Sequence, residues 1–248
     1  MSKETMNNNV DDGIDSQIYE CFNQKNPKSF FLFAGAGSGK TRSLVNVLTE
    51  FKKNYGSQYK LFNRKVAIIT YTNAAADEIK HRLEYDSIFY VSTIHSFAWK
   101  LISPYNKDIK DWLRIELPKS IDKLNLALSK SKNLNNKTSI DNAKKKEAKE
   151  KRLNNLDNIL NFVYNPGGDN ISKDSLNHEE VIKITADFIQ NKILMQDIIV
   201  SRFPIILVDE SQDTKKELIE ALFNLQENKK SKFSFATTNI SGNDKNAE

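Results

Sequence analysis

A glycine-rich segment near the amino terminus restricts the fold of this chain more than any other feature. It reads Ala34, Gly35, Ala36, Gly37, Ser38, Gly39, Lys40, Thr41. An apolar run precedes it at 29–33, and at 41–53 apolar residues follow at the spacing of an amphipathic helix. A buried strand, a glycine turn and a helix in this order predict one crossover unit of a parallel sheet.

The same segment has the composition of a phosphate-binding loop. Glycines let backbone N–H groups turn toward phosphate oxygens, and the start of the next helix adds the positive end of its dipole. Lys40 would reach the β- and γ-phosphates of a nucleoside triphosphate, and the Thr41 hydroxyl would hold Mg²⁺. The strict pattern has glycine where this chain has Ala34, and the alternative is a glycine turn without a ligand. The predicted nucleotide-binding set is Ala34, Gly35, Ala36, Gly37, Ser38, Gly39, Lys40, Thr41 and Arg42.

Two carboxylates follow another apolar run near the carboxyl terminus. Asp209 and Glu210 come directly after the run at 205–208, so we expect both at the carboxyl edge of the sheet, where open α/β sheets bind ligands. We predict that Asp209 contacts Mg²⁺ through water and that Glu210 orients and deprotonates the attacking water. The alternative is a pair of exposed carboxylates that cap the next helix.

Further apolar runs alternate with helical patterns along the chain, with strands at 66–70 and 88–91 and helices at 73–83 and 94–101. Solid apolar strands between helices indicate an α/β fold, in which a parallel sheet is covered on both faces. The lysine- and asparagine-rich segment between them has no strong strand pattern, and its part at 133–149 suggests a mobile hairpin tip. We expect a flexible lead at 1–15, an α/β domain formed by 16–102 and 203–240, a helical insertion at 103–202 and a disordered tail at 241–248.

The net charge of +5 is unevenly distributed. The segment 107–152 has 14 basic and 7 acidic residues, so it carries +7 and the remainder sums to −2. A local basic excess is typical of a polyanion partner, although a solvated helical hairpin would have the same composition. Because Cys21 is the single cysteine and no apolar run approaches the roughly 20 residues of a membrane span, we expect a cytoplasmic protein without a membrane partner.

Four motifs in order resemble those of the UvrD/Rep-like family of superfamily 1 DNA helicases. In that family the glycine loop commonly has alanine at the position of Ala34. The segment 69–79 has a threonine-rich strand end followed by asparagine and alanines, and 93–97 reads Thr-Ile-His-Ser-Phe. The segment 209–213 reads Asp-Glu-Ser-Gln-Asp, with Ser211 in place of the family's alanine. The resemblance implies a RecA-like P-loop NTPase fold, ATP and Mg²⁺ as ligands, and DNA helicase activity.

The resemblance also implies roles for individual residues. Gln212 would sense the γ-phosphate and couple it to DNA, which completes a catalytic set with Lys40 and Glu210. The insertion at 103–202 lies where the family has an accessory helical subdomain that contacts duplex DNA, and unwinding would run 3′ to 5′. Gln17 lies at a suitable distance for the family's adenine-reading glutamine, but its neighbours match poorly. The residues that would line the path of single-stranded DNA are Thr70, Thr72, Asn73, Thr93 and His95.

Two tryptophans could serve the same partner. Trp99 and Trp112 are candidates for stacking on bases, and packing in the core is the favoured alternative for both. The residues themselves do not separate these two interpretations.

The sequence departs from the family pattern beyond residue 213. The segment 232–248 lacks the expected Gly-Asp motif, no second motor domain follows, and no arginine occurs after Glu210. In the family the second domain supplies arginines that stabilise transition-state charge. We therefore expect an ATP-binding domain that is incomplete as a motor and acts with a second motor domain or a partner protein in trans. The alternatives are a nucleotide-gated interaction module and, disfavoured by the acidic motif, a small-molecule kinase.

Overall fold

The computed structural model describes residues 10–23, 27–34, 40–131, 133, 135–167, 174–209, 216–230 and 232–240. The helices in this part of the chain are α1 (Val10–Cys21), α2 (Lys40–Leu61), α3 (Asn73–Arg82), α4 (Ile94–Ile102), α5 (Asn106–Ser129), α6 (Lys137–Asn154), α7 (His178–Asn191), α8 (Ile193–Arg202) and α9 (Lys216–Asn228), with a 3-10 turn at Leu156–Asn158. The strands are β1 (Phe30–Ala34), β2 (Val66–Thr70), β3 (Phe89–Thr93), β4 (Val163–Tyr164), β5 (Ser175–Leu176), β6 (Ile205–Val208) and β7 (Ser234–Ile240).

Five parallel strands form the main sheet, in the order β1-β7-β6-β2-β3. The last strand in the chain, β7, therefore lies between β1, which leads into the glycine segment, and β6, which ends before Asp209. Ala34 of β1 lies opposite Ile240, and Val208 of β6 lies opposite Thr237. The predicted α/β fold with a parallel sheet flanked by helices is confirmed.

Helices cover the sheet because its strands are apolar on both faces. On one face, α1, α2 and α3 bury residues such as Ile18, Phe51 and Ile79 against the strands. On the other, Phe223 of α9 contacts Phe235 of β7 with ring centroids 4.9 Å apart. All five residues of β2 and all four of β6 are buried, as expected for central strands of a covered sheet.

The chain divides into two compact units. The sheet unit comprises Met1–Phe97 and Ala186–Glu248, and the helical unit comprises Ala98–Thr185. The division falls inside α4 and α7, so the helical unit begins five residues before the predicted insertion at 103–202 and ends 17 residues before its predicted end. Helix α8 belongs to the sheet unit.

The helical unit is built around the pair α5 and α6 and a small two-stranded sheet, β4 with β5. Residues 137–149, which suggested a mobile hairpin tip, lie in α6, whose start is capped by the Asn136 side chain. The interior includes Arg152, which donates to the Glu180 carboxylate and, at 2.8 Å, to the backbone oxygen of Ser175. Glu180 and Asn177 also cap each other at the start of α7.

The amino terminus differs from the expected flexible lead. Helix α1 begins at Val10, so residues 10–15 of the predicted lead at 1–15 are helical. Residues 1–9 and the predicted tail at 241–248 lie outside the described part of the chain.

Candidate nucleotide and nucleic-acid site

The carboxyl edge of the sheet collects the ends of the strands that carry the predicted site. Strand β1 ends at Ala34 and helix α2 begins at Lys40, so the predicted phosphate loop connects an edge strand of the parallel sheet to the start of a 22-residue helix. The loop itself, Gly35, Ala36, Gly37, Ser38 and Gly39, lies outside the described residues, as do the side chains of Ala34, Lys40 and Thr41. Arg42 is exposed in the first turn of α2.

Asp209 continues the line of β6 at this edge. Its backbone N–H donates to the carbonyl of Ile69 at 2.8 Å, which extends the pairing with β2 by one residue. The half-buried Asp209 also lines a small apolar cleft with Leu44 of α2 and Ile18 of α1. The predicted Mg²⁺ ligand therefore borders the same cleft as a residue in the second turn of the helix that begins at Lys40. Glu210 and Gln212 lie outside the described residues.

Two threonine side chains form hydrogen bonds that stabilise the turn after β2. The Thr70 side chain is 2% exposed, and its hydroxyl donates to the carbonyl of Thr72 at 2.9 Å. The Thr72 hydroxyl accepts from the N–H of Ala75 at 3.2 Å and caps α3. Thr70 therefore positions the turn, while Thr72 and Asn73 are exposed on it.

A second capped turn lies beside it at the end of β3. Thr93 is the direct cross-strand neighbour of Thr70. Its hydroxyl donates to the Ser96 hydroxyl at 3.0 Å and accepts from the Ser96 N–H at 3.4 Å. Thr93 and His95 are half-buried. The structure thus brings Thr70, Thr72, Asn73 and Thr93 together on two adjacent strand-to-helix turns.

Two residues at this edge were missed by the sequence analysis. Tyr71 is 48% exposed between Thr70 and Thr72. Its position at the end of an apolar strand, between two predicted DNA-binding residues, could have identified it from the sequence. Thr237 of β7 is 1% exposed, and its hydroxyl has no hydrogen-bond partner among the described residues. Its signal was its position directly after the run at 232–236, which could form a further strand.

The chemistry of this edge is that of oxygen donors beside a helix start. Within the described residues, no group of three or more histidine, cysteine, aspartate or glutamate side chains could hold a metal ion by itself. The Asp209 carboxylate and the Thr41 hydroxyl are both oxygen ligands, which Mg²⁺ prefers. Substrate phosphates and water would complete the coordination shell of the ion. The described residues include no helix long and apolar enough to cross a membrane.

Comparison with known proteins agrees with this architecture. Residues 17–238 match the family model of the UvrD/REP helicase N-terminal domain. The chain is 26% identical over 272 aligned residues to the Gabija protein GajB of Bacillus cereus, an alignment that covers 85% of the chain and 40% of GajB. It is 30% identical over 237 residues to the ATP-dependent DNA helicase Rep of Buchnera aphidicola, covering 84% of the chain and 35% of Rep. The chain therefore spans two fifths or less of the length of these relatives.

Proposed function

Because this chain belongs to the UvrD/REP helicase N-terminal domain family, we propose that it is the ATP-binding domain of a DNA helicase. In this proposal it binds ATP with Mg²⁺ at the carboxyl edge of the sheet and single-stranded DNA on the neighbouring turns. The observation that supports it most strongly is the edge itself. At this edge, strands of one parallel sheet are followed by Asp209, by the start of α2 and by the capped turns at Thr72 and Thr93.

Each part of the nucleotide site has a separate task. The backbone N–H groups of 35–39 and the amino end of α2 would bind the phosphates, and Lys40 would neutralise the β- and γ-phosphate charge. Thr41 and Asp209 would hold Mg²⁺, which when bound neutralises developing charge on the phosphates. Glu210 would orient the attacking water and accept its proton, with Gln212 beside the γ-phosphate.

The DNA path is proposed along the two capped turns. Asn73 is exposed, and its side-chain amide offers hydrogen-bonding groups to phosphate or sugar. The exposed ring of Tyr71 offers a surface on which one base stacks, whereas the buried Thr70 supports the turn from beneath. Thr93 and His95 complete the path at the next strand end.

The test measures ATP binding and turnover by the purified chain with and without single-stranded DNA. We expect Lys40→Ala to weaken ATP binding at least about tenfold, because a charge-assisted contact to phosphate is lost. We expect Glu210→Gln to keep ATP binding and to lower turnover by about 100-fold or more, since a general base contributes at least that factor. Lys53→Ala, which removes an exposed lysine of the same helix, is the matched control.

Two results would contradict the proposal. One is ATP binding by Lys40→Ala that equals that of the unmodified chain and of Lys53→Ala. The other is turnover that Glu210→Gln leaves intact. Binding without turnover in the unmodified chain would support the nucleotide site and assign hydrolysis to groups supplied from elsewhere.

A further inference from the structure

Exposed apolar side chains collect at the amino edge of the sheet. Leu61 is the last residue of α2, Phe62 follows it, and Tyr85 lies in the turn between α3 and β3. These residues are 78%, 58% and 69% exposed. Because the parallel strands β2 and β3 begin after them, all three lie at the edge of the sheet opposite Asp209 and the capped turns.

The turn that carries Tyr85 has an unusual backbone. Glu84 and Tyr85 have φ angles of 53° and 54°. A helix often ends with one residue in this left-handed region, but a bulky residue that follows in the same region is an outlier. The Asp86 carboxylate lies 3.1 Å from the ammonium of Lys52 and 3.6 Å from that of Lys60, so ion pairs hold the turn against α2. Backbone strain of this kind concentrates at functional sites, and here the strained residue is an exposed tyrosine.

A cleft of about 200 Å³ opens beside Tyr85. Its walls are largely apolar and include Leu83, Phe89, Tyr90 and Val91. A cavity of about 150 Å³ is enough to hold a benzene ring. The cleft therefore has room for one aromatic or branched aliphatic side chain of a binding partner.

The surroundings of the cleft are positively charged. We call the segments 60–65 and 80–91, together with Arg202, the amino-edge surface, and it contains six basic and two acidic residues. The backbone carbonyl of Arg202 accepts a hydrogen bond of 2.8 Å from the first of these segments. Three further side chains form ion pairs with this surface, namely Lys52, Asp77 and Glu78. With these included the count is seven basic and four acidic residues, so the local net charge is +3.

Three of these cations lie close to the cleft. Lys65 and Lys80 line it. Burial raises the pKa of the Tyr90 hydroxyl, and the nearby charges of Arg202 and Lys80 partly offset that effect. Lys80 is paired with Asp77, whereas Lys65 and Arg202 form no ion pair among the described residues. An acidic group beside the cleft would therefore meet two cations that no carboxylate of this part of the chain neutralises.

These features match an acidic protein segment better than a nucleic acid. One face of the Phe62 ring is covered by the guanidinium of Arg64, 5.3 Å from the ring centroid, which leaves less of the ring for a base. The Glu84 side chain, 81% exposed beside Tyr85, repels a continuous chain of phosphates. An acidic segment with one large apolar side chain uses both the apolar cleft and the positive charge around it. Tyrosine and arginine are also enriched among the residues that dominate the binding energy of protein interfaces.

We propose that the amino-edge surface docks an acidic segment of a partner protein. One large apolar side chain of the partner enters the cleft beside Tyr85, and the carboxylates that flank it contact Lys65 and Arg202. The surface lies at the opposite edge of the sheet from the proposed ATP and DNA sites, so the inference goes beyond the proposed function and does not rest on it.

The first experiment uses a library of displayed peptides of random sequence. The library is selected on the full chain and counter-selected on Tyr85→Ala. We expect the recovered peptides to share a large apolar residue flanked by aspartate or glutamate. Recovery of peptides without acidic residues, or of none that distinguishes the two proteins, would overturn the inference.

Matched variants then locate the binding of individual recovered peptides. Tyr85→Ala should weaken it by about tenfold, because one wall of the cleft is lost. Lys65→Glu should weaken it at least about threefold, since an attraction becomes a repulsion. The controls are Ile193→Ala, at a residue that is 72% exposed, and Lys216→Glu, which makes the same change of charge at the start of α9. Equal weakening by Lys65→Glu and Lys216→Glu would overturn the inference, because net charge alone would then explain the binding.

Other occupants of the surface give different results. If Tyr85→Ala and Lys65→Glu weakened binding of oligothymidylate and no peptide bound, the surface would belong to a nucleic acid and the inference would be wrong. Self-association in sedimentation that the same two variants abolish would assign the surface to a second copy of the chain and would also overturn it. ATP binding, measured on the same samples, should be equal in Tyr85→Ala and in the unmodified chain. Peptide binding by a chain that binds no ATP would contradict the proposed function alone.

Discussion

The sheet unit and the helical unit differ in one feature of their interiors, which is a buried arginine–glutamate pair. In the sheet unit, β2 and β6 are buried along their whole length, and their interiors consist of Val, Ala, Ile and Leu with Thr70 at the end. In the helical unit, an arginine lies inside: Arg152 is 5% exposed and is paired with the largely buried Glu180. Burial of apolar surface is non-directional, whereas a buried ion pair requires each partner in place.

This difference shows why the two units tolerate change differently. An apolar strand in a covered sheet accepts another apolar residue of similar volume at modest cost. Removal of one partner from a buried ion pair leaves an uncompensated charge, which is far more costly. We therefore expect loss of Arg152 to cost the helical unit more than exchange of one apolar residue for another of similar volume in β2 or β6 costs the sheet unit.

The largest expected effect is that of Arg152→Ala. This change leaves Glu180 buried without its partner and the carbonyl of Ser175 without its donor, so we expect a loss of about 3–5 kcal/mol in the helical unit. Hydrogen exchange should show reduced protection in peptides from 98–185 and little change in those from β2 and β6.

Arg114→Ala is the matched control for that experiment. Arg114 also pairs with carboxylates, those of Asp111 and Asp157, but these groups are exposed, so protection should hardly change. If Arg152→Ala and Arg114→Ala behaved alike, the contrast between a buried and an exposed ion pair in this unit would be wrong.

A smaller effect is expected from one buried threonine in each unit. The Thr237 hydroxyl has no partner among the described residues, so Thr237→Val should raise the free energy of unfolding of the sheet unit by about 1 kcal/mol. The Thr185 hydroxyl lies 2.7 Å from the carbonyl of Val181 and 3.2 Å from that of Ala98, so Thr185→Val should lower stability by about 1 kcal/mol. Both changes in unfolding free energy are measured by urea unfolding, with hydrogen exchange as the probe of each unit. Destabilisation by both valines would show that the Thr237 hydroxyl contributes a favourable interaction.

The smallest effect is a pH-dependent one in the sheet unit. Desolvation is the largest single influence on the pKa of the Asp86 carboxyl, and it raises that pKa because it opposes ionisation. The N–H of Ile88 and the ammonium groups of Lys52 and Lys60 together outweigh it and lower the pKa of Asp86 below its ordinary value. A lowered carboxyl pKa contributes stability above the unfolded-state pKa that is lost as the pH falls through the folded-state value.

Asp86→Asn should therefore reduce stability at pH 7 by less than about 1 kcal/mol, because both lysines are partly exposed. The difference from the unmodified chain should fade as the pH falls below the unfolded-state pKa of about 4 and through the lower folded-state pKa. Unfolding curves between pH 7 and pH 3 measure it, with Asp77→Asn, at an exposed pair on α3, as the control. A difference that stays constant with pH would show that the charge of Asp86 is not its cause.

Much of the fold could be predicted because it depends on local patterns. The apolar runs predicted β1, β2, β3 and β6 to within two residues at either end, since a buried parallel strand needs a continuous apolar segment. Helix α2 is longer than the 41–53 pattern because its last turns pack through Tyr59, whose burial the helical spacing did not reveal. The roles of Lys40, Asp209 and Glu210 stay predictions.

Taken alone, the sequence determined four of the five strands, β1, β2, β3 and β6, and that they run parallel, because solid apolar strands separated by helices allow few other arrangements. It also determined, through the residues 17–238, the family of the chain. The position of β7 between β1 and β6 was decided only by the tertiary structure, because pairing of strands distant in sequence leaves no local pattern. The same holds for the partners of Arg152 and for the ring contacts of Tyr164 with Trp99 and His178, since residues that are distant along the chain acquire these contacts only when the helical unit folds.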